Sequence, residues 1–137
     1  MTRAVRTGGV LEAMVLPALL RGGYTTRPQT VIGTRIGGHA HKVDAVASND
    51  ERSVLVSVKW QQVGGTAEQK VPFEVICLSE AVRQGPWDAA YLVLGGEGWT
   101  LRDFYTRGGL RDHLKIADNV LVLTLEAFIA RANDGRL

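Results

Sequence analysis

Two apolar-rich runs, Val43 to Ala47 and Val54 to Trp60, flank the polar cluster Asn49-Asp50-Glu51-Arg52, and this pattern limits the middle of the chain more than any other feature. Short alternating runs around such a cluster predict an antiparallel hairpin with a four-residue loop. Centring the turn there pairs Ser48 with Ser53, Val46 with Leu55, Asp44 with Ser57 and Lys42 with Lys59. Period-two alternation then puts Lys42, Asp44, Ser57 and Lys59 on one face, and Val43, Ala45, Val54, Val56 and Val58 on the other. Opposed β-carbons lie roughly 5 Å apart, so Asp44, a main-chain carbonyl near Val58 and Lys59 can converge on one ion or one phosphate.

The segment after the hairpin has its own chemistry. Trp60 and Gln61 continue the strand, Gly64-Gly65 releases the chain, and Thr66 with Gln69 predicts a capping box at a helix start. Backbone N–H groups exposed there suit an anion, with Lys70 adding charge. The helix is expected to bury Val71, Val75, Cys77, Leu78 and Val82, and to stop before Gly85-Pro86.

An acid on one strand, a Ser-x-Lys on the next, a glycine loop and a helix form an order of parts that resembles the PD-(D/E)XK nuclease superfamily. Within it, the chain is most similar to small members of the Holliday-junction-resolvase and restriction-endonuclease type. The resemblance runs from about Gly8 to Leu125. Its sharpest portions are Val43-Asp44, Val56-Ser57-Val58-Lys59-Trp60-Gln61 and Gly65 to Glu74. Two departures stand out: no proline precedes Asp44, and Ser57 occupies the place of the usual Asp or Glu. A hydroxyl is a poorer ligand for a hard cation than a carboxylate.

The resemblance implies an α/β fold with an αβββαβ core, a mixed central sheet flanked by helices and a C-terminal helix-strand-helix extension. It implies a metal-dependent DNA endonuclease that uses Mg2+, with Mn2+ as a substitute. Asp44 would hold the metal with the Val58 carbonyl, and Glu12 or Glu74 would supply the carboxylate that Ser57 lacks, with Glu68 a further candidate. Lys59 would orient the attacking water, and Gln61 would position water or phosphate. The DNA backbone would meet Lys42, Lys70, Thr66, Arg35, His39 and His41. Symmetric cutting would require a homodimer. The alternatives are a catalytically degenerate DNA-binding protein and a structural assembly factor that retains the fold.

Elsewhere, residues 9–20 read as a helix kinked by Pro17 and ended by Gly22-Gly23, with Glu12 early in it. Residues 29–36 read as the first strand. His39 and His41, two apart on an extended segment, share a side that faces away from Asp44. With no cysteine or third histidine near, they suit solvent or phosphate better than zinc. Tyr91-Leu92-Val93-Leu94 and residues 119–125 read as buried strands. Between them a helix starts near Thr100 and Asp103, with Leu101, Phe104 and Tyr105 inward, and a closing helix covers residues 125–132.

The 137 residues, 45% hydrophobic, suffice for one domain with a real core. One cysteine, no signal-like run and no apolar stretch near 20 residues predict a cytoplasmic protein without a membrane span. Net charge is only +2, yet it is unevenly distributed. Up to Lys42 there are six basic residues, Arg3, Arg6, Arg21, Arg27, Arg35 and Lys42, against Glu12 alone; the remainder has ten basic and thirteen acidic. A basic edge of this kind serves either a polyanionic partner or solubility alone. Arg102, Arg107, Arg111, His113 and Lys115 form a second basic region. Nucleotide-binding glycine loops, zinc-protease helices and serine-hydrolase elbows are absent from the sequence.

Overall fold

The computed structural model describes residues 7–137; Arg3 and Arg6 lie outside that range. The chain begins with α1 (Thr7–Val10), a π-helical turn (Leu11–Val15) and α2 (Leu16–Arg21). It continues through β1 (Thr25–Thr34), β2 (Ala40–Ser48), β3 (Ser53–Trp60), α3 (Ala67–Gln84) and β4 (Ala89–Gly95). After α4 (Arg102–Thr106) and a 3-10 turn (Gly109–Asp112) come β5 (Val120–Thr124) and α5 (Leu125–Asn133). The strands form one mixed sheet in the order β1-β2-β3-β4-β5. The β1/β2 and β2/β3 pairs are antiparallel, and the β3/β4 and β4/β5 pairs are parallel. This is the expected αβββαβ core with its helix-strand-helix extension.

Helices cover both faces. On one, α1, α2 and α5 meet Ala45, Val54, Val56 and Tyr91. On the other, α3 and α4 meet Val46, Leu55, Leu92 and Leu94. The interior strand β4 is therefore buried at every position, the condition in which a parallel strand reads as an unbroken apolar run.

The hairpin register is as expected near the turn, with Ser48 opposite Ser53 and Val46 opposite Leu55. Asn49 builds that turn, its Oδ1 accepting the N–H groups of Glu51 and Arg52. Further out the register departs from expectation. Recorded pairing stops at Ala45 opposite Val56, so neither Asp44 with Ser57 nor Lys42 with Lys59 forms a ladder pair. Past that point β2 continues with β1 as a two-stranded ribbon, which twists more strongly than a wide sheet. Val43 packs on the α3 side although Ala45, two residues on, packs on the α1 side; between them Asp44 has no ladder pair in β1, and Gln29, between the partners of Ala45 and Val43, takes a positive φ of 49°.

Other boundaries differ from expectation for local reasons. β1 starts at Thr25 and carries Pro28, which an edge strand tolerates because no ladder N–H is needed outward. The π turn lies just ahead of Pro17, whose missing N–H leaves the usual i−4 carbonyl without its donor. Leu101, expected inward, is exposed, while Phe104 and Tyr105 do pack inward. Pro72 inside α3 likewise cannot donate to the Glu68 carbonyl, and the Tyr105 hydroxyl donates to it instead at 2.7 Å. Tyr105→Phe is expected to cost about 1–3 kcal/mol, measured by denaturant unfolding, because that buried acceptor loses its donor.

Candidate active site

Where β2 parts from β3, backbone groups on the β3 edge lose their ladder partners. Asp44 fills this gap: its Oδ2 accepts the Val58 N–H at 2.6 Å. A residue's N–H and C=O point to the same strand edge, so the Val58 carbonyl opens on the same side. Ser57 and Lys59 alternate with Leu55 and project toward α3.

Beneath them lies Glu74, 7% exposed and two turns into α3. The Ser57 hydroxyl, itself 3% exposed, donates to Glu74 Oε2 at 3.0 Å. The carboxylate missing from the strand is thus supplied beside it from the helix. His41 Nε2 stands 3.6 Å from the same oxygen. That gap exceeds a hydrogen bond, and the buried Nε2 has no hydrogen-bond partner.

The two carboxyls are held differently. Burial pushes Asp44 above the ordinary carboxylate range, and nearby Glu74 adds to this. The Val58 N–H, Lys59 and Lys42 act in the opposite direction without cancelling it. Burial also acts upward on Glu74, but His41, Lys59 and Ser57 together outweigh it and leave that carboxyl below its ordinary range. Lys59 influences both acids, yet among the described residues it closes no ion pair with either.

These directions carry opposite linkages. Glu74 stabilises the fold above its unfolded pKa, and this contribution is lost as pH falls through its lowered folded value. Asp44 does the reverse: stability falls as pH rises from its unfolded pKa through its raised folded one. Asp44→Asn keeps an acceptor for the Val58 N–H and removes this penalty. It is therefore expected to raise the melting temperature of the metal-free protein at neutral pH, with the gain vanishing below the unfolded carboxyl range.

Other candidates sit elsewhere. Glu12 lies exposed in the π turn of the helical layer opposite α3, and it is not among the charges acting on Asp44. Glu68 is engaged as well, its carboxylate accepting the Leu101 N–H. Gln61 is tied at both ends of its amide, donating to the Gly98 carbonyl and accepting the Ala67 N–H. It caps α3 in place of the expected Thr66 side chain, which makes no cap bond. Gly96, at φ +89°, lies so close to the Gln61 backbone that a β-carbon would collide with it. This clamp sets where α3 begins, and so where Glu74 lies.

Lys42, Lys70, Thr66 and His39 are exposed, and Arg35 is half-buried over the Phe73 ring. His41 contradicts the expectation that it faces away: the ribbon twist carries it to the α3 side. Arg111 is occupied by the carbonyls of Ile116, Ala117 and Val120, so it belongs to a loop and not to a free basic surface.

The family model for the PD-(D/E)XK nuclease superfamily domain matches residues 3–136. The chain belongs to this superfamily. No curated protein matches it significantly. Its fold is similar to the crystal structure of the protein of unknown function AF1548, with a TM-score of 0.51 at 10% identity. That match covers 80% of this chain and 54% of the other, so this PD-(D/E)XK domain spans about half of the structure it resembles. At such identity the likeness concerns the fold alone. Among the described residues of the domain, no helix is long and apolar enough to cross a membrane.

Superfamily membership raises the question of a divalent cation. Among the described residues no three His, Cys, Asp or Glu side chains form a metal-binding group. Mg2+ does not require three, being held by one or two carboxylates with waters and substrate phosphate. Asp44 and Glu74, both desolvated and neither closely paired with a lysine or arginine, fit that chemistry.

Proposed function

We propose that this domain is a metal-dependent DNA endonuclease hydrolysing phosphodiester bonds, with Asp44, Glu74 and Lys59 at its centre. One observation carries the reading: Glu74 reaches from α3 to the Ser57 hydroxyl, restoring a carboxylate next to the strand position from which it is missing. Asp44, Glu74 and the Val58 carbonyl would hold Mg2+, or Mn2+ in its place. When bound, the cation supplies Lewis-acid polarisation of the scissile phosphate.

The chain's own groups do the rest. Lys59 presents an ammonium that donates to the attacking water or to a non-bridging phosphate oxygen, where charge builds up in the transition state. Ser57 fixes the rotamer of Glu74 through its hydrogen bond. The Val58 N–H fixes Asp44 in the same way. Lys42, Lys70 and Arg35, carried on β2, α3 and the turn after β1, offer positive charge to the flanking backbone, with His39 and Thr66 as polar neighbours. A homodimer would supply the second centre needed to cut both strands.

Incubation of supercoiled plasmid with Mg2+ or Mn2+ tests the proposal. Nicking or linearisation that chelator abolishes is the expected result. Salt-sensitive DNA retention without cleavage would instead identify a silent binding relative, and neither activity would point to an assembly factor.

A further inference from the structure

We infer that His41 and Glu74 form a mixed nitrogen-oxygen cation subsite that gives this domain a preference for Mn2+-like transition ions over Mg2+. The inference rests on the proposed cation chemistry of the cluster, but it concerns which ion is taken.

An unpartnered atom is the first sign. His41 is 3% exposed, and among the described residues its Nε2 finds no donor or acceptor within hydrogen-bond distance. A buried polar atom left so is uncommon and calls for an unseen water or ion. The atom is directed at Glu74 Oε2 across 3.6 Å. This is too long for a hydrogen bond, yet close to the roughly 3.0–3.4 Å that two donors span when each lies about 2.1 Å from one cation. A neutral imidazole protonated on Nδ1 presents Nε2 as a lone pair, as a ligand must.

Burial supports the same conclusion. Glu74 is 7% exposed, and the Ser57 hydroxyl satisfies only part of its acceptor capacity. The ribbon twist that brings His41 inward adds a softer donor to an otherwise oxygen-only site. Mg2+ is served by carboxylate, carbonyl and water, whereas a site with a nitrogen donor takes divalent first-row transition ions with an affinity that rises from Mn2+ towards Cu2+. Among the described residues no three such side chains form a ready-made group, so water or substrate phosphate would fill the positions that Asp44 and the two subsite residues leave open.

The test uses the whole chain without DNA. Mn2+ is titrated by calorimetry beside Mg2+, and the Mn2+-loaded protein is probed by pulsed electron paramagnetic resonance for coupling to a directly bound 14N nucleus. Wild type is expected to bind Mn2+ about tenfold or more tightly than Mg2+ and to show the nitrogen coupling. His41→Gln, which retains most of the side-chain volume, should lose the coupling and most of the preference, while His113→Ala, at an exposed position on the loop after the 3-10 turn, should keep both. Circular dichroism melts confirm that each variant is folded. Absence of Mn2+ binding, binding without nitrogen coupling, or coupling that survives His41→Gln would overturn the inference. DNA cleavage is scored separately: Mg2+-supported cutting without nitrogen coupling removes this inference alone, whereas nitrogen coupling without cutting removes only the nuclease reading.

Discussion

Lys59→Ala is expected to lower the rate of DNA cleavage by about 10²–10³-fold while leaving the fold intact. Lys59 is half-buried at the end of β3, acts on both carboxyls, and closes no ion pair with either among the described residues. Its ammonium is therefore available to a phosphate, and its removal costs little packing. The loss should fall mainly on kcat, since a group that meets developing charge acts more strongly in the transition state than on bound substrate. Lys59→Arg should rescue poorly, because a planar fork does not replace a point charge on a flexible stem. Single-turnover cleavage with DNA binding measured in parallel separates the two effects; equal losses of binding and rate would assign Lys59 to affinity alone.

Ser57→Glu, which writes the usual acidic residue back into the strand, should damage the protein. The position leaves little room for it, since Ser57 is buried with its hydroxyl 3.0 Å from Glu74 Oε2. A second carboxylate there overfills the site, at about 1–3 kcal/mol, and sets two like charges together where water cannot screen them. The protein should unfold at lower denaturant concentration and cleave more slowly than wild type. Adding Glu74→Gln to Ser57→Glu removes the repulsion and should restore part of the stability, so the two substitutions should be non-additive in a double-mutant cycle. Additive losses would mean that the two positions are energetically independent.

The contrast between these two substitutions shows which levels of structure the sequence carries. The hairpin turn, its first pairs and the buried face of α3 are legible, because period-two alternation, an Asx-type turn and a helical apolar stripe are local signals. Val71, Val75, Cys77, Leu78 and Val82 are all buried as expected. Contacts set by tertiary geometry are less legible. Glu74 is one of three candidate acids in the sequence, and only the tilt and rotation of α3 place it under Ser57. His41 falls on the wrong side if the strand is regular, whereas the ladder ends at Ala45 and the remaining ribbon twists. Glu12 is exposed in the opposite helical layer, a placement that helical periodicity alone does not give. Gln61 reads as a water-positioning residue, while the structure uses its amide to start α3, a role for which no local cap pattern exists six residues ahead of a helix. The superfamily signature points to the strands, and packing decides which acid lies beside Ser57.

The most direct measurement compares metal-dependent plasmid cleavage by Glu74→Gln with cleavage by wild type, both shown to be folded. If the helix supplies the missing carboxylate, Glu74→Gln should lose about 10²-fold or more of the rate in Mg2+, and Ser57→Glu in that background should recover a measurable part of it. Wild-type rates in Glu74→Gln would show that the acid on α3 does not complete the centre.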